Sequence, residues 1–192
     1  MQVKGRLVIA IDGKAVRGAR DKDGKAPHLV AALAHGIGAV LGQVAVTAKS
    51  NEIPAVRDLL NAFTDLAGAV ITIDALHTQS DTARVITGRG ADYVMTVKGN
   101  MPTLYRQLKK LSWARIPAVS SVSTAHGRRA RRTIRAVLAP AWIGFAGAAQ
   151  VAQLRRTVTR KERRPSRSST SSPATPMPAR LPWPPGSVAT GR

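Results

Sequence analysis

Apolar residues in the first half of the chain fall into short runs and helical stripes, separated by glycine and charge. Residues 7–11 (Leu-Val-Ile-Ala-Ile) and 70–74 (Val-Ile-Thr-Ile-Asp) are rich in β-branched side chains, the pattern of strands buried on both faces. Each run ends on a carboxylate, Asp12 and Asp74. Residues 28–35 and 40–47 read as two more strands, joined at Gly36-Ile37-Gly38. With the first strand they predict an antiparallel meander. Gly13, Gly18 and Gly24 read as turn glycines in the first connection.

A helix is predicted over residues 51–63, where Ile53, Val56, Leu59, Leu60 and Phe63 recur at helical spacing. Asn51 is a suitable N-cap, Glu52 favours the positive end of the helix dipole, and Pro54 is tolerated in a first turn. Residues 80–87 predict a second helix that stops at Gly88 and Gly90. Residues 93–97 form a fifth strand, Lys98-Gly99-Asn100 a tight loop, and Pro102 opens a third helix with Leu104, Leu108 and Leu111 as core. Two further strands, over residues 131–138 and 150–159, extend the sheet. The order β-β-β-α-β-α-β-α predicts an α/β fold, a mixed sheet flanked by helices.

The pattern fails after Lys161. Residues 163–192 hold seven of the chain's twelve prolines and six serines, with no periodic apolar positions. Such a segment cannot bury enough surface to offset its ordering entropy. The expectation is a folded core over residues 1–161 and a Pro/Ser/Arg-rich disordered tail over 162–192.

Composition narrows the class of function. The chain has 192 residues and no cysteine, which excludes a disulfide framework and a thiolate zinc site. No apolar stretch reaches the roughly 18 residues of a membrane span, and the N-terminus lacks a signal-peptide layout. A cytoplasmic protein without a membrane partner is the default expectation. The formal net charge is +20, and it is lopsided. Residues 1–92 carry eleven Lys/Arg against nine Asp/Glu, whereas residues 93–192 carry nineteen against Glu162 alone. A field of that kind suits a polyphosphate backbone.

The candidate chemistry lies at the two carboxylates. Neighbouring strands lie about 4.8 Å apart, so two acidic tips side by side could share divalent ions about 3.5–4 Å apart. Hard divalent cations prefer such oxygen ligands. The bland alternative is that strand-end aspartates merely cap turns. For His77, directly after Asp74, the alternatives are a cleft-lining residue and a loop histidine bonded to backbone.

The local wording adds a resemblance. Ile11-Asp12-Gly13-Lys14-x-x-Arg17-Gly18, Lys49-x-Asn51-Glu52-Ile53, Asp74-Ala75-Leu76-His77-Thr78-Gln79, Val97-Lys98-Gly99-Asn100 and His126-Gly127-Arg128 occur in order over roughly residues 7–160. Together they resemble the catalytic core of bacterial insertion-sequence DDE transposases of the H-repeat-associated type, which has a ribonuclease-H-like fold. The resemblance implies metal-dependent DNA strand cleavage and transfer at insertion-sequence ends, with Asp12 and Asp74 as catalytic ligands of two Mg²⁺ or Mn²⁺ ions. It points to Lys98, Arg128, Arg131 and His77 as nucleic-acid contacts, and leaves a homo-oligomer open.

Three departures accompany it. The family pattern His-Gly-Arg-x-Glu-Arg reads His126-Gly127-Arg128-Arg129-Ala130-Arg131 here, so Ala130 stands where the third acid belongs. No Asp or Glu lies between Asp92 and Glu162 to replace it. Losing a metal ligand from a phosphoryl-transfer site removes several kcal/mol of transition-state stabilisation, so a catalytically dead chain is expected, with a non-catalytic DNA-binding protein as the alternative. Relatives also begin further upstream and continue differently after residue 161. A truncated copy with an out-of-frame tail is the corresponding expectation.

Overall fold

The computed structural model describes residues 2–3, 5–20, 22–24, 26–46, 52–125, 128–160 and 187–191. Antiparallel pairing of β2 (Arg6–Ala15), β3 (His28–Ala34) and β4 (Ala39–Ala45) builds the meander that the apolar runs predict. The β3–β4 turn closes through Gly38, whose φ of 66° suits glycine, with its N–H donating to Ala34 O at 2.8 Å. A short β1 (Gln2–Val3) pairs with the start of β2.

Helix α1 (Glu52–Ala62) then leads to β5 (Val70–Ile73), and helix α2 (Ser80–Gly88) to β6 (Asp92–Val97). Both strands join β2 in parallel, giving the order β4-β3-β2-β5-β6. This mixed α/β arrangement is compatible with the expected ribonuclease-H-like fold. Asn51, expected to cap α1, lies outside the described residues.

The core sits on one face of this sheet. Register puts Ile9, Ile71 and Tyr93 abreast, and likewise Ile11, Ile73 and Met95. Against them pack Ala55, Val56, Leu59 and Leu60 of α1, with Ala83 and Ile86 of α2. Gly42 gives Leu59 its place, since a Cβ there would lie 3.3 Å from Leu59 Cδ1. Tyr93 anchors the far side: its hydroxyl donates to Ala146 O at 2.6 Å, and its ring meets Phe145 edge-on at 6.1 Å. On the opposite face Val8 and Val70 are buried, while Ala10, Asp12, Ala31, Thr72 and Val94, nearer the far end of the strands, are half-buried to exposed.

Helix α3 (Pro102–Lys109) buries Leu104 and Leu108, while Leu111 is partly buried against the same core. The chain then forms three long antiparallel strands, β7 (Ala118–Ala125), β8 (Arg128–Leu138) and β9 (Gln150–Arg160). The sequence pattern finds β8 and β9 but misses β7, whose small polar residues lack a strand's alternation.

Five residues of the segment expected to be a tail are among the described ones. β10 (Ser187–Gly191) lies between β6 and β9, parallel to both. Its backbone supplies the ladder partners that both neighbouring strands would otherwise lack. Residues 162–186 and 192, the rest of that expectation, lie outside the described residues.

Candidate metal and nucleic-acid site

Pairing between β2 and β5 ends at Ile11↔Ile73. Asp12 and Asp74 are the next residue on each strand, so the two carboxylates are neighbours in register at one rim of the sheet. They reach that position differently from the expectation. Asp74 does stand just past the end of β5, but Asp12 is inside β2, opposite Ala31 of β3. Antiparallel bonding to β3 carries β2 on to Ala15, beyond the point where β5 stops.

The Asp12 carboxylate is exposed, with no hydrogen bond or ion pair among the described residues. Asp74 is half engaged. Its Oδ1 accepts the N–H groups of Leu76 (3.0 Å) and His77 (3.4 Å), so the turn-capping alternative holds for that oxygen. The loop after it is fastened from several sides. Thr78 Oγ1 donates to Thr96 O at 2.7 Å and is 3.1 Å from Asp74 O, and Asn100 Nδ2 donates to Ala75 O.

Gly13 is not a turn glycine. It lies in β2, where a Cβ would fall 2.4–2.8 Å from the carboxylate atoms of Glu52. Glu52 Oε2 is 3.0 Å from His77 Nε2, and Oε1 meets His28 Nε2 as a close contact without hydrogen-bond alignment. A carboxylate neighbour requires His77 Nε2 to carry a proton, and His77 Nδ1 is buried without a hydrogen-bond partner among the described residues. Glu52 and His28 are the residues that sequence reasoning misses. Helix-start chemistry already accounts for Glu52, and only the fold brings the two histidines to it.

His77 lies inside the fold. It is 1% exposed, so it has no surface to offer a phosphate. Lys98 is better placed: exposed, just past the end of β6, and two residues beyond the level of Asp74. Ala130 does not join the aspartates. Through β6, β10, β9 and β8 the register brings Ala136 level with Asp74, four strands away. Ala130 lies six residues further along β8, about 20 Å at strand rise.

That offset belongs to an arm. The outer parts of β8 and β9, with β7 exposed along its whole length, run past the rim that holds Asp12, Asp74 and Lys98. Arg129, Arg131 and Arg155 share one face of the arm, and Arg128, Arg132 and Arg156 the other. Arg128 and Arg131 therefore do not act on one face together. Arg132 stands directly opposite Arg156, and its Nη1 donates to Ser123 Oγ at 3.0 Å.

Comparison with known proteins decides the family. The transposase DDE domain family matches residues 3–174. The chain belongs to that family. "Putative transposase YncI" of Escherichia coli O157:H7 is 47% identical over 105 residues, 54% of this chain and 27% of its own length. "H repeat-associated putative transposase YhhI" of Escherichia coli K12 is 37% identical over 129 residues, covering 63% of this chain and 34% of its own. YbfD of the same strain, similarly named, is also 37% identical over 129 residues, and 51% of it is covered. This DDE-domain chain thus spans about a quarter to a half of the length of these relatives. No solved structure matches it.

DDE domains use divalent metal in general, and the donor set here can be tested against that. Two adjacent aspartate carboxylates, one unengaged and one with an oxygen to spare, suit a hard cation. Among the described residues no group of three or more His, Asp or Glu side chains is arranged to hold a metal ion. The fit is that of a pair. None of the described helices is long and apolar enough to cross a membrane.

Proposed function

We propose that this chain is a ribonuclease-H-like DDE core descended from insertion-sequence transposition, which binds DNA through its basic rim and arm and does not cleave it. The observation that carries this reading is the register that sets Asp12 beside Asp74. Those two side chains would hold Mg²⁺ or Mn²⁺. When bound, such ions activate an attacking hydroxyl and stabilise the leaving oxygen of a phosphodiester.

The chain's own residues supply positioning and charge. Lys98 beside Asp74 would hold a backbone phosphate near the carboxylates, and the arginines of the arm would grip the flanking duplex. Contacts of this kind position DNA without reading its sequence. What the described residues do not supply is a third acid beside this pair. Ala130 replaces it, and position 130 is far from the aspartates in register. Two carboxylates hold a metal pair weakly, so cleavage is lost while the electrostatic grip remains.

Nicking of supercoiled plasmid in Mn²⁺, alongside duplex binding over a range of salt, tests this. The expected result is salt-sensitive binding without nicking. Nicking that disappears in Asp74→Asn would show an active enzyme and overturn the silent reading. Absence of duplex binding at low salt would overturn the DNA partner.

A further inference from the structure

Three of the motif segments meet beneath the sheet at a side chain that phosphoryl transfer leaves unused. Glu52, the first residue of α1, lays its carboxylate on the backbone of Gly13, the residue after Asp12. Its Oε2 lies 3.0 Å from Nε2 of the buried His77 ring, and the backbone N–H of the same residue donates to Asp74 Oδ1. His28 of β3 closes on the other oxygen.

Side chains alternate along a strand, so Asp12 and Gly13 face opposite sides of the sheet. Glu52 lies on the Gly13 side. It therefore cannot join Asp12 as a ligand from where it sits. It backs the rim from behind, with one route to each aspartate: through Gly13 to the backbone that presents Asp12, and through His77 to the turn that orients Asp74.

We infer that Glu52 is a positioning residue for the Asp12–Asp74 pair, acting through His77 and Gly13. This rests on the reading of those two aspartates as metal ligands. Outer partners of a ligand fix its orientation, and their loss commonly lowers metal affinity 10–100-fold. A residue that only stabilised the fold would act on the whole sheet alike. A positioning residue acts on the turn and the rim.

Amide hydrogen exchange and Mn²⁺ titration of the full chain separate the two. In Glu52→Gln, the Leu76 and His77 amides should exchange about tenfold faster while Ile71 and Met95 in the ladder keep their protection. Mn²⁺ affinity should fall about tenfold. Gly13→Ala, which displaces the same carboxylate without removing it, should give both effects and serves if Glu52→Gln does not fold. Unchanged exchange at His77, unchanged Mn²⁺ affinity, or equal acceleration at every amide would each overturn the inference. If the wild-type chain takes up no Mn²⁺, the metal reading itself fails, and that result is distinct because the local exchange effect does not depend on it.

Discussion

Ala130 sits on the arm, about 20 Å along β8 from the level of Asp74. The resemblance implies a glutamate there, and the obvious repair is Ala130→Glu. Register separates that position from Asp74 by four strands and six residues, so the repair alone is expected to leave plasmid nicking absent. Nicking by Ala130→Glu would mean that the arm reaches the aspartates after all. At the same scale, Asp74 and Gly13 show where reading a sequence stops. A carboxylate ending a β-branched run is legible as a strand-end acid, and it is one. A glycine after an aspartate reads as a turn, because nothing local announces that a glutamate thirty-nine positions later needs the space.

Among the elements, apolar periodicity locates all three helices and the five strands of the central sheet, because each buries a face and must show it in its pattern. It places the end of β2 too early, since antiparallel bonding to β3 extends a strand with no apolar signal. It misses β7, exposed on both faces, and β10, whose neighbours rather than its composition make it a strand. The packing of β6 makes a prediction of its own. Burial raises the Tyr93 phenol well above its ordinary value. The unfolded chain ionises near pH 10 and the folded chain only higher. The corresponding stability is fully present below pH 10 and is lost as pH rises past it, which a series of urea melts from pH 8 to 11 would show. Tyr93→Phe should blunt that alkaline loss and cost about 1 kcal/mol at neutral pH through the missing bond to Ala146.

For the whole molecule, charge is the property the sequence states most plainly and the fold refines most. A net charge of +20 predicts an anionic partner, but not that arginines of β8 and β9 gather on an arm running past the rim of the carboxylates. One duplex lying along that rim would meet both. Replacing Arg129, Arg131 and Arg155 together by alanine should weaken duplex binding at any sequence and lower the slope of log affinity against log salt by roughly three. An unchanged slope would take the arm out of the interface.

The account depends on Asp12 and Asp74 meeting at one rim to hold a cation. Titrating Mn²⁺ against the wild-type chain, with the electron paramagnetic resonance signal of the free ion as the readout, tests this most directly. Uptake by the wild type that falls at least tenfold in both Asp12→Asn and Asp74→Asn is the predicted result. Equal uptake by all three proteins would contradict it.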